Sequence, residues 1–296
     1  MWIVHSPPSS AVSGSMKIAI IGPGAIGSTF AFQLSRASHD VTVVARGARL
    51  QQISRDRAIV LTTGERSGVT VATELDPAIE FDLVLVTVLA PQVAAVLPSL
   101  RLSSALKVMF MFNTFEAIDP LRDAVGAERF AFGFPRGVFT LLHAGRISPQ
   151  IRRGTTVSDP ACAVVFTAAG IPTIVDEDMQ GWLRSHAAMV LPLMSIGVRS
   201  FARGAGISWR EAGQHADALY AGMRIVRAMG NEVRPRVVAQ LERLPHGVLT
   251  TLLWLTSRTR VSRDLGALGT AEPRMLADMM SAAAPDLAGP IAAIRP

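Results

Sequence analysis

The first half of the chain alternates short apolar runs with helical patterns. Residues 18–21 (IAII) lead into a glycine-rich turn and then an Ala/Phe/Leu-rich stretch, and residues 83–88 (LVLVTV) form a continuous apolar run. Such runs are typical of parallel strands that helices cover on both faces. Further strands are predicted at residues 41–44, 69–72, 108–112, 129–132 and 155–157. Strands that alternate with helices predict βαβ units, and so a doubly wound parallel sheet of the Rossmann type.

After about residue 174 the alternation stops and only helical patterns follow. Helices are predicted at residues 178–201, 208–229, 233–244, 246–258 and 273–284. The sequence therefore predicts an α/β chain with a C-terminal all-helical domain. The predicted parts are a flexible tail (1–15), a dinucleotide-binding domain (16–172) and a helical domain (173–296) that binds substrate and dimerises. The last dozen residues, rich in Ala, Pro and Gly, predict a frayed end.

Composition narrows the class of protein. With 296 residues, of which 49% are hydrophobic and 18% charged, the chain can fill two cores, which argues against disorder. The single cysteine, Cys162, excludes an internal disulfide framework and fits a reducing, cytoplasmic compartment. Because the net charge of +6 comes from scattered arginines, it favours anionic small molecules over nucleic acid as partners.

The apolar runs bear on membranes and assembly. The longest, residues 187–198 and 247–256, are shorter than the ~18 residues of a spanning helix, so no membrane association is predicted. Residues 1–15 lack the basic start and long apolar core of a secretory signal. Apolar helical faces that need cover indicate a homodimer.

A glycine-rich loop follows the first predicted strand and opens a helix. Residues 22–27 read Gly-Pro-Gly-Ala-Ile-Gly, which matches G-x-G-x-x-G at the first βα junction. Gly22 allows the tight turn, Gly24 lets a pyrophosphate approach the backbone, and Gly27 permits close packing of helix on strand. The alternative is a glycine-rich turn without a ligand. The residues predicted to contact a dinucleotide here are Gly22, Gly24, Ala25, Ile26 and Gly27.

An arginine stands where proteins that bind NAD usually place an acid. In those proteins an Asp or Glu at the end of the second strand holds the ribose 2′-hydroxyl. Here Arg46 follows residues 41–44. A guanidinium can pair with a 2′-phosphate through two N–H donors, whereas a carboxylate would repel it. Arg46 therefore predicts NADP(H) as the cofactor, with a solvated loop charge as the alternative. Arg49 would share this role or face water.

With these features in place, the chain resembles the ketopantoate reductase family over most of residues 16–285. The resemblance implies an NADPH-dependent reductase that transfers hydride to a carbonyl. It also implies roles for three residues. Asn113 would lie near the nicotinamide and the substrate, Arg184 would occupy the position of the proton-donating lysine, and Glu272 would bind substrate. These are the predicted catalytic residues. The alternative for Arg184 is a structural ion pair, and the alternative for Glu272 is a carboxylate that a helix N-terminus favours.

Several positions depart from the family's pattern. Leu89 replaces a lysine beside the cofactor, and Arg184 replaces the catalytic lysine. Ala188 and Pro192 replace asparagines, and Arg260 replaces a serine. These departures argue against ketopantoate as substrate. The small Ala188 predicts room for a larger or less polar substrate.

Residues 181–193, GWLRSHAAMVLPL, carry an arginine and a histidine inside an apolar run. On a helix Arg184 and His186 point about 200° apart, so they cannot share one cleft. Arginine, with a pKa above ~12, cannot usefully donate its proton near neutral pH, although it can stabilise a developing alkoxide. The proton would come from water, from Glu272 if its pKa is raised, or from the substrate. His186 is interpreted as a hydrogen-bonded core residue.

Other candidate sites are weaker. Residues 133–137 predict a turn near the cleft, where Arg136 would be a substrate anchor or a loop charge. The histidines His143, His215 and His246 lack the spacing of metal ligands, so no metal site is predicted.

Together these features predict an NADPH-dependent reductase that acts on a carbonyl or imine of a small molecule bound between the two domains. One alternative is a noncatalytic NADP-binding regulatory module that has lost the lysine. Another is a non-redox enzyme that reuses the fold and keeps the cofactor for structure.

Overall fold

A computed structural model describes residues 14–296, so most of the predicted tail lies outside the described residues. The chain forms two compact units. The sheet unit comprises the described residues up to Phe112 together with Asp119–Glu177. The helical unit comprises Asp178–Pro296 and, from the middle of the sequence, Asn113–Ile118.

The sheet unit contains an eight-stranded sheet and a separate two-stranded hairpin. In the large sheet the order is β10-β9-β8-β7-β6-β1-β2-β5, and every neighbouring pair is parallel except β8 with β9. The strands are β1 (Lys17–Ile21), β2 (Asp40–Val44), β3 (Ala58–Val60), β4 (Arg66–Gly68), β5 (Thr70–Ala72), β6 (Leu83–Val86), β7 (Val108–Phe110), β8 (Phe130–His143), β9 (Arg146–Val157) and β10 (Thr173–Val175).

Helices cover this sheet, which explains the continuous apolar runs in its central strands. All four residues of β6 are buried, as are the last four of β1. Phe30 packs edge-on against Phe166, with ring centroids 5.1 Å apart. The helices of this unit are α1 (Ala25–Arg36), α2 (Gly47–Asp56), α3 (Leu97–Leu102), α4 (Asp119–Val125) and α5 (Pro160–Ala168).

A long antiparallel hairpin replaces the two short strands predicted at residues 129–132 and 155–157. Strands β8 and β9 pair from Gly133 to His143 and meet at a tight turn, where Ala144 and Gly145 both have positive φ. The turn predicted at residues 133–137 is wrong. These residues lie within β8, where the register shifts on both sides of Gly137. Glycine and proline inside a strand mark such a bulge as readily as a turn.

The helical unit is built around two long helices. Helix α6 (Met179–Arg203) is capped by the Asp178 carboxylate, which accepts from the Gly181 amide at 2.8 Å, and α7 (Trp209–Ala228) begins with a capping box. The remaining helices are α8 (Arg236–Ala239), α9 (His246–Thr256), α10 (Arg260–Gly266), α11 (Ala271–Ala283) and α12 (Gly289–Ile294). No helix within residues 14–296 is long and apolar enough to cross a membrane.

Two predictions for this unit are wrong. The single helix predicted at residues 233–244 is instead α8 followed by a 3₁₀ turn, because Pro235 precedes and delays the first helical residue. The predicted frayed end is α12, whose Ile291 and Ile294 are wholly buried. The Ser195 hydroxyl donates to the Ile294 carbonyl at 2.6 Å, so the last turn is tied to α6.

Candidate active site

The glycine loop lies at the C-terminal end of β1, in the sheet unit. Gly22 has a φ of +86°, and a Cβ there would lie 2.6 Å from Val88 Cγ1. At Gly27 a Cβ would lie 2.3 Å from the Thr87 hydroxyl oxygen, which itself donates to the Gly22 carbonyl at 2.8 Å. Both positions therefore exclude a side chain, and the loop is held tightly against the end of β6.

Gly24 differs, because it faces open space. A Cβ there would have the Gly22 carbonyl oxygen, at 4.0 Å, as its nearest neighbour. The first bond within α1 runs from the Ser28 amide to the Gly24 carbonyl, at 3.0 Å. The amides of the three residues between them are therefore not needed by the helix and can bind an anion. The arrangement fits the pyrophosphate of a dinucleotide.

The two arginines after β2 occupy different environments. Arg46 is exposed at the N-terminal boundary of α2. Arg49 is half-buried and donates to the carbonyl oxygen of Pro23 in the glycine loop at 2.8 Å, so the interpretation of Arg49 as a charge facing water is wrong. Burial lowers the pKa of Arg49, although the nearby Asp56 opposes the shift. Leu89 is exposed just beyond β6.

Asn113 and Glu272 form a hydrogen-bonded pair in the helical unit. Asn113 is 7% exposed, and its Nδ2 donates to Glu272 Oε1 at 3.0 Å. Its Oδ1 is buried and has no hydrogen-bond partner among residues 14–296. Burial raises the pKa of Glu272 above its usual value, and the bond from Asn113 only partly offsets the shift. The structure thus brings together two of the three predicted catalytic residues.

Arg184 is buried on α6 and is bound to other parts of the same unit. Its Nε donates to the Phe115 carbonyl at 3.1 Å, and its Nη1 donates to Asn231 Oδ1 at 2.6 Å. The guanidinium also lies 5.7 Å from the centroid of the Phe115 ring. Arg184 therefore joins α6 to the segment that carries Asn113.

Phe115 and Asn231, which contact Arg184, were not among the predicted site residues. Phe115 lies two residues after Asn113, and Asn231 follows the end of α7. The only local signal was the Gly230-Asn231 pair, which indicates a helix end and says nothing about its contacts.

His186 lies on another side of α6. Its ring stacks on Trp182, with centroids 5.1 Å apart and an interplanar angle of 7°. Burial lowers its pKa to about 4, so the imidazole is neutral near pH 7.

Ala188 does not line an open space. It is wholly buried, and a Cβ built on Gly222 of α7 would lie 3.0 Å from the Ala188 Cβ. The expectation that Ala188 leaves room for a larger substrate is therefore wrong, because α7 fills that space. Pro192 is also buried within α6. Arg260 is exposed, and its Nε lies 3.8 Å from Asp264 Oδ2.

Arg136 lies in the bulged part of β8. Its Nε is buried without a hydrogen-bond partner in the described part of the chain. Burial, and then the charge of Arg153, lower its pKa. The structure places it in a strand rather than in the predicted loop.

Comparison with known proteins identifies the fold. The family described as "Ketopantoate reductase PanE/ApbA" matches residues 18–160. A solved ketopantoate reductase of that family from Ralstonia eutropha JMP134 superposes with a TM-score of 0.71, at 21% identity, over 95% of both chains. The chain has the ketopantoate reductase fold. The resemblance noted from the sequence, and the predicted sheet and helical parts, are thereby confirmed.

Other similar proteins match different fractions of this chain. The 2-dehydropantoate 2-reductase of Vibrio cholerae is 33% identical over 113 residues, which is 37% of this chain and 36% of that protein. The chain thus matches about a third of the length of that relative. D-mandelate dehydrogenase, solved with NADH and anilino(oxo)acetate, superposes with a TM-score of 0.66 at 15% identity over 95% of this chain and 98% of that one. A dimeric ketopantoate reductase from Staphylococcus aureus gives 0.66 at 14% identity over the same fractions.

Proposed function

We propose that the protein is an NADPH-dependent reductase that delivers hydride to the carbonyl or imine carbon of a small molecule. The observation that carries this proposal is the open backbone of the glycine loop. Gly24 faces open space, and the amides at the start of α1 are available to phosphate. The match of residues 18–160 to a reductase family supports the same conclusion.

The residues of the sheet unit fit the cofactor. The loop from Gly22 to Gly27 would hold the pyrophosphate, and exposed Arg46 would pair with the 2′-phosphate. The bound nicotinamide supplies the hydride. Leu89, which stands where the family's pattern has a lysine, is exposed and supplies no charge to the cofactor.

In the helical unit, Asn113 and Glu272 would bind the substrate, and Glu272 would supply the proton that reduction requires. Because Asn113 donates to Oε1, a protonated Glu272 carries its hydrogen on the other oxygen, Oε2. The raised pKa of this carboxyl favours the protonated form. Glu272 would therefore donate a proton to the oxygen or nitrogen that receives negative charge. The buried Oδ1 of Asn113 would accept a hydrogen bond from the substrate.

For Arg184 we propose a positioning role. Its bonds to Phe115 and Asn231 fix the segment that begins at Asn113. An arginine could not replace the lysine as a proton donor, since its pKa exceeds ~12.

A titration of the purified protein with NADPH and NADH, followed by nucleotide fluorescence, tests the cofactor proposal. We expect NADPH to bind about tenfold or more tightly than NADH, and Arg46→Ala to remove that preference while leaving NADH affinity unchanged. Failure of both nucleotides to bind would overturn the proposed function.

The substrate class is tested by turnover. D-mandelate dehydrogenase shares the fold and was solved with anilino(oxo)acetate, which carries a carbonyl beside a carboxylate and an aromatic ring, so 2-oxo acids with aliphatic and aryl substituents should be assayed beside ketopantoate. NADPH consumption with one of these acids is the expected result. Tight NADPH binding without turnover of any carbonyl or imine would favour a noncatalytic module, a reading that the loss of the lysine also supports.

We also propose a homodimer. Helix α9 exposes Val248, Leu252 and Leu255 along one face, and one relative with this fold is a dimer. Light scattering should give twice the 31.5 kDa mass of the chain, and the monomer mass would contradict the proposal.

A further inference from the structure

We propose that Arg49 is a positioning residue that holds the glycine loop in its phosphate-binding conformation. The inference rests on the proposed dinucleotide function and assigns a task to a residue outside the glycine pattern. Arg49 lies on α2 and reaches back to the loop between β1 and α1.

The guanidinium binds the middle of the glycine loop directly. Arg49 Nε donates to the Pro23 carbonyl at 2.8 Å, and Nη2 donates to the Ser28 hydroxyl oxygen at 2.6 Å. That hydroxyl in turn donates to the same Pro23 carbonyl at 2.8 Å. The Pro23 carbonyl oxygen therefore accepts two hydrogen bonds, one from Arg49 and one from Ser28. The Ser28 hydroxyl is itself held in place by a bond from Arg49.

These bonds fix one peptide group from both ends. The Pro23 carbonyl accepts from Arg49, while the Gly24 amide of the same peptide donates to the Gly22 carbonyl at 2.7 Å. Gly24 has no side chain to restrict its rotation, and it faces open space. Fixing the plane before Gly24 sets the direction of the amides that follow, which would contact phosphate.

The other side of the guanidinium is fixed to the β8–β9 turn. Arg49 Nη1 donates to the Gly145 carbonyl at 2.7 Å and to Gln52 Oε1 at 2.6 Å. Gln52 Nε2 also donates to the Gly145 carbonyl, at 2.8 Å. A planar guanidinium with several donors can make all these bonds at once, which a lysine ammonium cannot match in geometry.

The same contacts separate Arg49 from Arg46. Donors on all three nitrogens of Arg49 are bonded to protein oxygens, whereas Arg46, three residues earlier, is exposed. Arg46 would read the 2′-phosphate, which only NADPH carries. Arg49 would set the loop that binds the pyrophosphate, which NADPH and NADH share. The two arginines should therefore have different effects on the two nucleotides.

The test measures dissociation constants for NADPH and NADH by fluorescence, together with the thermal midpoint of each variant. Arg49→Met keeps the length of the side chain and removes its donors. We expect it to raise the dissociation constants of NADPH and NADH by the same factor, about tenfold or more. The ratio of the two constants should stay unchanged. Arg55→Met, an exposed change of the same charge on α2, is the matched control and should bind as the wild type does.

Two milder variants serve if Arg49→Met fails to fold. Arg49→Lys retains the charge but loses the converging bonds, and Ser28→Ala removes only the support from α1. Each variant should weaken the binding of NADPH and NADH equally, and the loss should be smaller for Ser28→Ala. Wild-type affinity in the Arg49 variants would overturn the inference, as would a loss confined to NADPH, since that would make Arg49 a 2′-phosphate ligand. Absence of binding by the wild-type protein would instead refute the proposed function.

Discussion

At the scale of single residues, Arg184 shows how hydrogen bonds to neutral oxygens help to accommodate a buried charge. It is 7% exposed, and two of its nitrogens donate to the Phe115 carbonyl and to Asn231 Oδ1. Hydrogen bonds from a guanidinium to neutral oxygens offset part of the desolvation cost of the charge. This arrangement depends on the shape of arginine as well as on its charge.

Replacing Arg184 by lysine tests that dependence. A lysine ammonium cannot reach both oxygens in the same geometry, so Arg184→Lys should lower the free energy of unfolding by about 1–3 kcal/mol. It should also lower kcat/KM, because Asn113 lies on the segment that Arg184 holds. Urea unfolding and steady-state kinetics measure the two effects.

Arg263→Lys, at an exposed position on α10, is the matched control and should change neither quantity. A rise in kcat/KM for Arg184→Lys at unchanged stability would contradict the positioning role. In that case the lysine would be acting as the family's proton donor does.

At the scale of elements, small residues decide how closely α6 and α7 approach. Ala188 faces Gly222, where even a methyl group would lie 3.0 Å from the alanine Cβ, and Met280 of α11 closes the same space. Core packing of this kind leaves no volume for a longer side chain.

The asparagine that the family carries at this position should therefore not fit. Ala188→Asn should destabilise the protein by about 1–3 kcal/mol through overpacking, and more if its amide stays unpaired. Ala202→Asn, exposed near the end of the same helix, should cost less than about 0.5 kcal/mol. Equal unfolding midpoints for the two variants, measured in urea, would show that α7 does not fill the space.

The sequence pattern predicted strands best where both faces of the strand are buried, because such strands are continuous apolar runs. The apolar runs at residues 18–21 and 83–86 gave the central strands, since nothing interrupts them. The β8–β9 hairpin was missed because glycine and proline are typical of loops. Here Gly133, Pro135 and Gly137 lie in a bulged strand. Among the site residues, the glycine loop was visible because its pattern is local. The contacts of Arg49 and Arg184 join residues far apart in sequence, and no local pattern carries such information.

At the scale of the whole molecule, buried histidines couple stability to pH. His215 is wholly buried on α7, with Nδ1 2.7 Å from the Glu211 carbonyl and Nε2 without a hydrogen-bond partner in the described chain. Burial lowers its pKa to about 4, and the charge of Arg199 adds to the shift. The unfolded chain, with a histidine pKa of about 6.5, therefore binds a proton that the folded protein excludes between these values.

The stability that His215 contributes should be fully present above about pH 6.5 and should be lost as the pH falls toward its folded pKa. The loss should amount to about 3 kcal/mol, since the pKa falls from 6.5 to about 4 and each pKa unit corresponds to ~1.4 kcal/mol. His215→Gln should flatten the dependence of unfolding free energy on pH in this range, whereas His143→Gln, at an exposed position, should leave it unchanged. An unaltered slope in His215→Gln would refute the assignment.

The make-up of the helical unit has a consequence for how this fold can change in evolution. Its core includes Phe115, which is 1% exposed, although the sheet-unit residues Asp119–Glu177 lie between it and α6 in the sequence. A genetic crossover near residue 178 would transfer the helices without Phe115 and without the carbonyl that Arg184 binds. The imported helices would have to match a short stretch inherited from the other parent. Recombination at the apparent boundary is therefore penalised, and the two units should descend together.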